Sequence, residues 1–226
     1  MSDKNDIIKQ NERLDDLQID GLMIIQNPDM YCFTSDAVAL ANYVTNAKGK
    51  IVADLGTGSG IIAILITYKQ QPKKVIGIEL QTYMADMAHR SVEYNNLSNS
   101  IDIIEGDILN ATNLLGYESV DIVVSNPPYR KCGSGEKQAV TEIAISRHEI
   151  AITLEQLVEN ASKILKYKGR FYLVHRFDRL AEIFYVMKKY NIEPKEIKFI
   201  NGADMQPISV LIKGVKKGNV GLSIIT

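Results

Sequence analysis

From residue 50 onward, short β-branched apolar runs alternate with segments whose apolar residues recur at three- and four-residue spacing. The runs Lys50 to Asp54, Val75 to Glu79, Ile101 to Glu105, Asp121 to Ser125 and Arg170 to Val174 predict strands; between them, Ile61 to Lys69 and Thr82 to Asn95 predict helices. A third helix is announced by Thr153 and Gln156 in capping-box spacing, followed by Leu154, Leu157, Val158, Ala161 and Leu165 on one stripe, and it should stop before Lys168-Gly169. Further along, an amphipathic helix Arg179 to Tyr190 precedes strands near Ile197 to Ile200 and Ile208 to Lys213, expected to close the sheet as an antiparallel hairpin. Upstream, Leu17 to Ile19 and Leu22 to Gln26 flank Asp20-Gly21, the strongest short hairpin signal in the chain, and Ser35 or Asp36 is expected to cap a short helix, Ala37 to Val44. Strand and helix in alternation predict an α/β fold, a mostly parallel sheet with helices on both faces. No linker or repeat intervenes, so residues 1–49 read as an N-terminal extension and 50–226 as the main domain of one globular unit.

Composition narrows the classes. With 226 residues, 46% apolar and 23% charged, the chain is an ordinary globule, not a disordered tail. Cys32 and Cys132 have no companions, and His89, His148 and His175 show no ligand spacing, so neither a zinc site nor a disulfide framework is expected. The longest apolar run, Ile61 to Ile66, is far too short to cross a bilayer, and the first 18 residues lack an apolar targeting region, which predicts a cytosolic protein. The net charge of −1 hides an asymmetry: −9 over residues 1–159 and +8 over residues 160–226. That excess points either to a polyanionic partner for the C-terminal third or to solvated helix faces.

The candidate chemistry sits at strand ends. The first main-domain strand runs into Asp54-Leu55-Gly56-Thr57-Gly58-Ser59-Gly60, where glycines at alternate positions let a ligand approach the backbone closely. A dinucleotide or S-adenosylmethionine would suit such a turn. The spacing G-x-G-x-G departs from the dinucleotide fingerprint G-x-G-x-x-G, and Asp54 is placed to pair with a cationic amino group but would repel a diphosphate. Glu79, ending the second strand, can accept hydrogen bonds from a ribose diol. Asp107, after the third, can accept from an adenine amine, or cap a helix. At the end of the fourth strand stands Ser125-Asn126-Pro127-Pro128-Tyr129. A planar amino nitrogen is a poor nucleophile because its lone pair is delocalised. An Asn side-chain oxygen and a Pro carbonyl accepting its two hydrogens localise that pair, and a tyrosine offers a stacking face.

Taken together, DLGTGSG, Glu79, Asp107 and NPPY resemble the class I S-adenosylmethionine-dependent methyltransferases of the amino-methylating kind. Phe33-Thr34-Ser35-Asp36-Ala37-Val38, Ser146-Arg147-His148-Glu149, Leu173-Val174-His175-Arg176 and Ile192-Glu193-Pro194 are similar to segments of the family that methylates adenine 37 of a valine tRNA. The resemblance implies a Rossmann-like seven-stranded sheet, S-adenosyl-L-methionine as cofactor and a structured tRNA substrate, with no membrane and no obligate protein partner. By that resemblance Asn126, Pro127, Pro128 and Tyr129 hold the target amine and base. The cofactor would be held by Phe33, Thr34, Ser35, Asp36, Asp54, Gly56, Thr57, Gly58, Gly60, Glu79, Leu80, Asp107, Ile108 and Asn126. The rival is a glutamine methyltransferase acting on a release factor, whose substrate presents the same amide NH₂. Such enzymes carry a separate N-terminal helical domain, whereas residues 1–49 read as a hairpin and one short helix. A DNA adenine methyltransferase would need a recognition insertion that is not seen here, a non-catalytic RNA- or nucleotide-binding module leaves NPPY unexplained, and hydride transfer lacks its glycine spacing.

Overall fold

A computed structural model describes residues 7–30, 32–127 and 152–225. An eight-stranded sheet forms the middle layer. Its strands are β3 (Ile51–Leu55), β4 (Lys74–Glu79), β5 (Ile101–Glu105), β6 (Val120–Ser125), β7 (Leu165–Arg176), β8 (Ile192–Asn201), β9 (Pro207–Lys216) and β10 (Ser223–Ile225), in the order β10-β8-β9-β7-β6-β3-β4-β5. Only β9 runs antiparallel to its neighbours. The sheet therefore has one strand more than the seven expected. The apolar stretch Leu222 to Ile225 follows the turn at Gly218 to Gly221 and pairs parallel with β8 at Glu196 to Lys198, occupying an otherwise open edge.

The alternation of side chains across the strands divides the interior in two. One face presents Val52, Val124, Tyr172, Val174 and Leu211 to α1 (Ser35–Tyr43) and α2 (Ile61–Gln70). The other presents Ala53, Val123, Phe171, Leu173 and Ile212 to α5 (Leu154–Ile164) and α6 (Leu180–Lys189). Helix α3 (Thr82–Tyr94) lies beside β4 and β5, and the short α4 (Ala111–Leu115) precedes β6. From β3 the chain winds outward through β4 and β5, then returns to β6 on the other side of β3. This reversal opens a crevice at the carboxyl ends of β3 and β6, where open α/β sheets take ligands.

Several boundaries shift for identifiable reasons. Asp20 and Gly21 make the expected tight turn, both in the left-handed region, with Leu22 N–H donating to Ile19 O at 2.9 Å. The strand on its upstream side is nevertheless β1 (Arg13–Asp16), not Leu17 to Ile19, because Gln18 is itself left-handed and breaks the ladder with β2 (Met23–Gln26) at Asp16. Neither Ser35 nor Asp36 caps α1: Thr34 holds the cap position without a side-chain bond, and Asp36 is buried in the first turn. The capping box at Thr153 and Gln156 forms, with Gln156 N–H donating to Thr153 Oγ1 at 3.2 Å. Its helix ends at Ile164, and Lys168-Gly169 is a kink within β7, where the pairing to β6 jumps from Val120–Leu165 to Ile122–Arg170.

Candidate active site

The glycine turn is stapled to the end of β4. Gly56 and Thr57 donate their N–H groups to Ile78 O at 2.9 and 3.1 Å, and Gly58 N–H donates to Glu79 Oε2 at 2.9 Å. Gly56, Gly58 and Gly60 all have positive φ, and Gly60 opens α2 so close to α3 that a Cβ would meet Ala88 Cβ at 3.3 Å. The second Glu79 oxygen accepts from Gln81 N–H at 3.0 Å, so the carboxylate is held at the strand end and burial raises its pKa. Asp54 is fully enclosed. Its Oδ2 accepts from Thr57 Oγ1 at 2.7 Å, while Oδ1 is buried without a hydrogen-bond partner among the described residues. Such an orphaned carboxylate oxygen calls for a donor from a ligand. Burial pushes the carboxyl up to about 7, opposed by the Thr57 hydroxyl and the nearby Ala63 N–H and helped by the Glu79 charge.

Across the crevice, Ser125 at the end of β6 donates through Oγ to Leu55 O at 2.7 Å, which joins the last residue of β6 to that of β3. This places Asn126, partly exposed, and the buried Pro127 directly after the strand neighbouring Asp54. Pro128, Tyr129, Arg147 and His148 lie outside the described residues. Asp107 does cap: its Oδ1 accepts from Leu109 N–H at 2.8 Å at the start of a 3₁₀ turn, Ile108–Asn110. Ile108 lies against the glycine turn, its Cδ1 3.8 Å from where a Gly56 Cβ would stand, and Leu80 is 41% exposed at the rim.

The segment before α1 is anchored at both ends. Strand β2 climbs the outer side of α3, tied first to Asn95, then to Ser91, and finally through Asn27 to the Tyr83 hydroxyl at the amino end of that helix. Helix α1 begins beside the carboxyl end of β7, because Asp36 Oδ2 accepts from Ser209 Oγ at 2.8 Å and Ser209 pairs with Arg176. Between these two anchors Phe33 packs against the core cluster that includes Ile61 and Ile62 at the start of α2. The structure thus brings Phe33 to Asp36, the glycine turn, Glu79, Leu80, Asp107, Ile108, Asn126 and Pro127 to one edge of the sheet. The Asp36 carboxylate, however, is engaged with β9. His175, at the end of β7, takes a hydrogen bond on Nε2 from Arg179 at 3.3 Å, and burial together with the Arg179 charge lowers its pKa to about 4, so it stays neutral.

The basic C-terminal third looks different in three dimensions. Lys163, Lys166, Lys188, Lys189, Lys213 and Lys216 each hold a carboxylate, respectively Glu159, Asp121, Glu193, Glu155, Glu196 and Glu118, at 2.5 to 3.2 Å. Much of the excess charge there is thus locally neutralised. Residues that sequence reasoning passed over include Gln26, Asn27, Tyr83 and Ser209. Gln26 and Asn27 could have been noticed as polar residues closing an apolar strand; Ser209 carries no signal of its own.

A family model described as the methyltransferase small domain matches residues 22–190. A Porphyromonas gingivalis protein named tRNA1(Val) (adenine(37)-N6)-methyltransferase is 34% identical over 132 residues, 58% of this chain and 51% of that protein. A putative protein N5-glutamine methyltransferase of Methanocaldococcus jannaschii is 28% identical over 121 residues, 54% of this chain and 58% of that protein. The matched region thus spans little more than half the length of these relatives. Among solved structures, the fold is similar to that of a predicted O-methyltransferase from Agrobacterium tumefaciens, with a TM-score of 0.68 at 23% identity over 84% of each chain.

Proposed function

Because the chain belongs to the methyltransferase small domain family, we propose that it transfers a methyl group from S-adenosylmethionine to the N6 amine of an adenine in tRNA, adenine 37 of a valine tRNA. The observation that carries this reading is the junction of an Asn-Pro strand end with a glycine turn whose buried Asp54 oxygen lacks a partner among the described residues. The residues fit the cofactor. Asp54 would take its ammonium, Glu79 its ribose hydroxyls, and Leu80, Asp107 and Ile108 its adenine, with Phe33, Thr34, Ser35 and Asp36 forming the cover. When bound, S-adenosylmethionine supplies an electrophilic methyl on a sulfonium. Asn126 and the Pro127 carbonyl would accept the two hydrogens of the target amine, freeing its lone pair for the methyl, and the resemblance assigns Pro128 and Tyr129 to holding the base. The amine gives up one proton to solvent after transfer.

The name of the 34% identical relative supports the tRNA substrate. The glutamine reading is favoured by the archaeal relative, and a glutamine carboxamide offers the same planar NH₂. Labelled methyl transfer from S-adenosylmethionine, with unmodified valine tRNA and a release factor in parallel reactions, separates the two. Label in N6-methyladenosine at position 37 supports the tRNA reading, and label on a protein glutamine overturns it.

A further inference from the structure

Gln26 closes β2 and is 4% exposed, and its carboxamide is used at both ends. Its Oε1 accepts from Phe33 N–H at 3.0 Å, and its Nε2 donates to Asp15 Oδ2 on β1. The first bond reaches across the loop that leaves β2 and grips the backbone where the segment turns into α1. The second anchors that grip to the hairpin, which is itself fixed to α3 by Ser91, Asn95 and the Glu12–Arg90 ion pair at 2.7 Å. The next residue, Asn27, ties the same strand end to Tyr83 and accepts Asp29 N–H at 2.9 Å, so β2 enters the loop in a fixed direction.

From this geometry we propose that Gln26 is a positioning residue: its carboxamide sets the height of Phe33 to Asp36 above the glycine turn, and thereby the affinity for the adenosyl cofactor. This rests on the cofactor reading given above. The chemistry of the pair is specific. Phe33 N–H needs an acceptor, and Asp15, already held by Arg13 at 2.8 Å, takes the carboxamide as a further donor; a carboxylate at position 26 would face Asp15 with like charge, and an apolar side chain would leave Phe33 N–H without this acceptor and Asp15 with Arg13. The other tie, Asp36 to Ser209, fixes the far end of the segment to β9, so release at Gln26 frees one end of the cover while α1 stays docked.

The test is a series: Gln26→Met, Gln26→Glu, and Gln26→Glu combined with Asp15→Asn. In the double variant the carboxamide introduced at position 15 donates to the carboxylate introduced at position 26, which still accepts from Phe33 N–H, so the pattern is restored with donor and acceptor exchanged. Calorimetric affinity for S-adenosylhomocysteine should fall about tenfold or more in Gln26→Met, on the scale of a lost buried hydrogen bond, should fall less in Gln26→Glu, which keeps an acceptor for Phe33 N–H and has Arg13 opposite it as well as Asp15, and should return to within about threefold of wild type in the double, the remainder expected from imperfect geometry. KM for S-adenosylmethionine should rise while kcat at saturation changes little, and amide exchange at Phe33 should accelerate in Gln26→Met without cofactor. A folded Gln26→Met protein with wild-type affinity overturns the proposal. If neither single variant folds, the double decides: wild-type affinity supports the pairing and its absence overturns it. Failure of the wild-type protein to bind S-adenosylhomocysteine would instead sink the cofactor reading, and Phe33 exchange would still report on the Gln26 bond.

Discussion

Asp54 is a carboxyl whose charge the folded protein opposes. Burial moves it from 3.8 to about 7, while an unfolded chain ionises it at the ordinary value. Between about pH 4 and 7 the ligand-free native state therefore holds a proton that the unfolded state has lost, and stability falls as pH rises through that window, levelling off above 7. At 1.36 kcal/mol per pH unit the full effect is about 4 kcal/mol, an upper figure because local relaxation softens burial. A cationic ammonium against Asp54 reverses the preference, since it pairs only with the carboxylate. Cofactor binding below pH 7 must then expel a proton, and affinity should climb towards about tenfold per pH unit between 5.5 and 7 before levelling off. Titration calorimetry of S-adenosylhomocysteine in buffers of different ionisation enthalpy counts that proton directly. Asp54→Asn, which keeps the shape and removes the titration, should flatten both the affinity profile and the acid-side gain in thermal stability. Affinity that stays constant from pH 5.5 to 8 in folded wild-type protein would refute the assignment of the ammonium to Asp54.

Replacing Asn126 with Ala should lower single-turnover methyl transfer by about a hundred- to a thousandfold while S-adenosylhomocysteine affinity falls far less, because its side chain acts chiefly on the target amine although it also borders the cofactor site; a matching loss of cofactor affinity would make it chiefly a cofactor ligand. In Gly77→Ala the new Cβ would stand 2.9 Å from both Thr57 Cγ2 and Oγ1, so the Thr57 hydroxyl should leave Asp54, with a destabilisation of about 1 to 3 kcal/mol in denaturant titration and weaker cofactor binding; unchanged values would show that the turn yields freely. Neutralising the exposed Lys48, Lys50, Lys73, Lys168 and Lys217, which hold no carboxylate among the described residues, should reduce the salt slope of tRNA binding more than neutralising the paired Lys163, Lys188 and Lys189. Equal effects on filter-binding curves would mean that local pairing does not decide which lysines meet RNA.

The central strands were legible because each one carries its own signal. A parallel strand buried on both faces must be apolar along its length, and Ile51–Leu55 and Val120–Ser125 announce themselves without reference to any partner. The edges were not. Arg13–Asp16 is Arg-Leu-Asp-Asp, with no apolar alternation, and is a strand only because β2 pairs with it. Ser223–Ile225 exists because β8 offers it an open edge. Lys168-Gly169 has the composition of a helix stop, but the helix had already ended at Ile164, and the left-handed Lys168 went into a kink that lets β7 re-register against β6.

The same distinction governs the site. Four acids stood at plausible positions in the sequence, and what separates them is where each carboxylate finds its donor. Asp36 finds Ser209, 173 residues away, and becomes a tie between α1 and β9. Asp107 finds Leu109 N–H two residues on and becomes a cap. Glu79 takes Gly58 and Gln81 N–H groups, which fix its direction. Asp54 takes the Thr57 hydroxyl on one oxygen and leaves the other enclosed and unmatched among the described residues. Spacing can place an acid at a strand end, but whether it is spent on the fold depends on contacts between distant segments. An unmet acceptor at the centre of a ligand crevice is costly to maintain, so the oxygen that the fold leaves unsatisfied is the one on which a test of binding should bear.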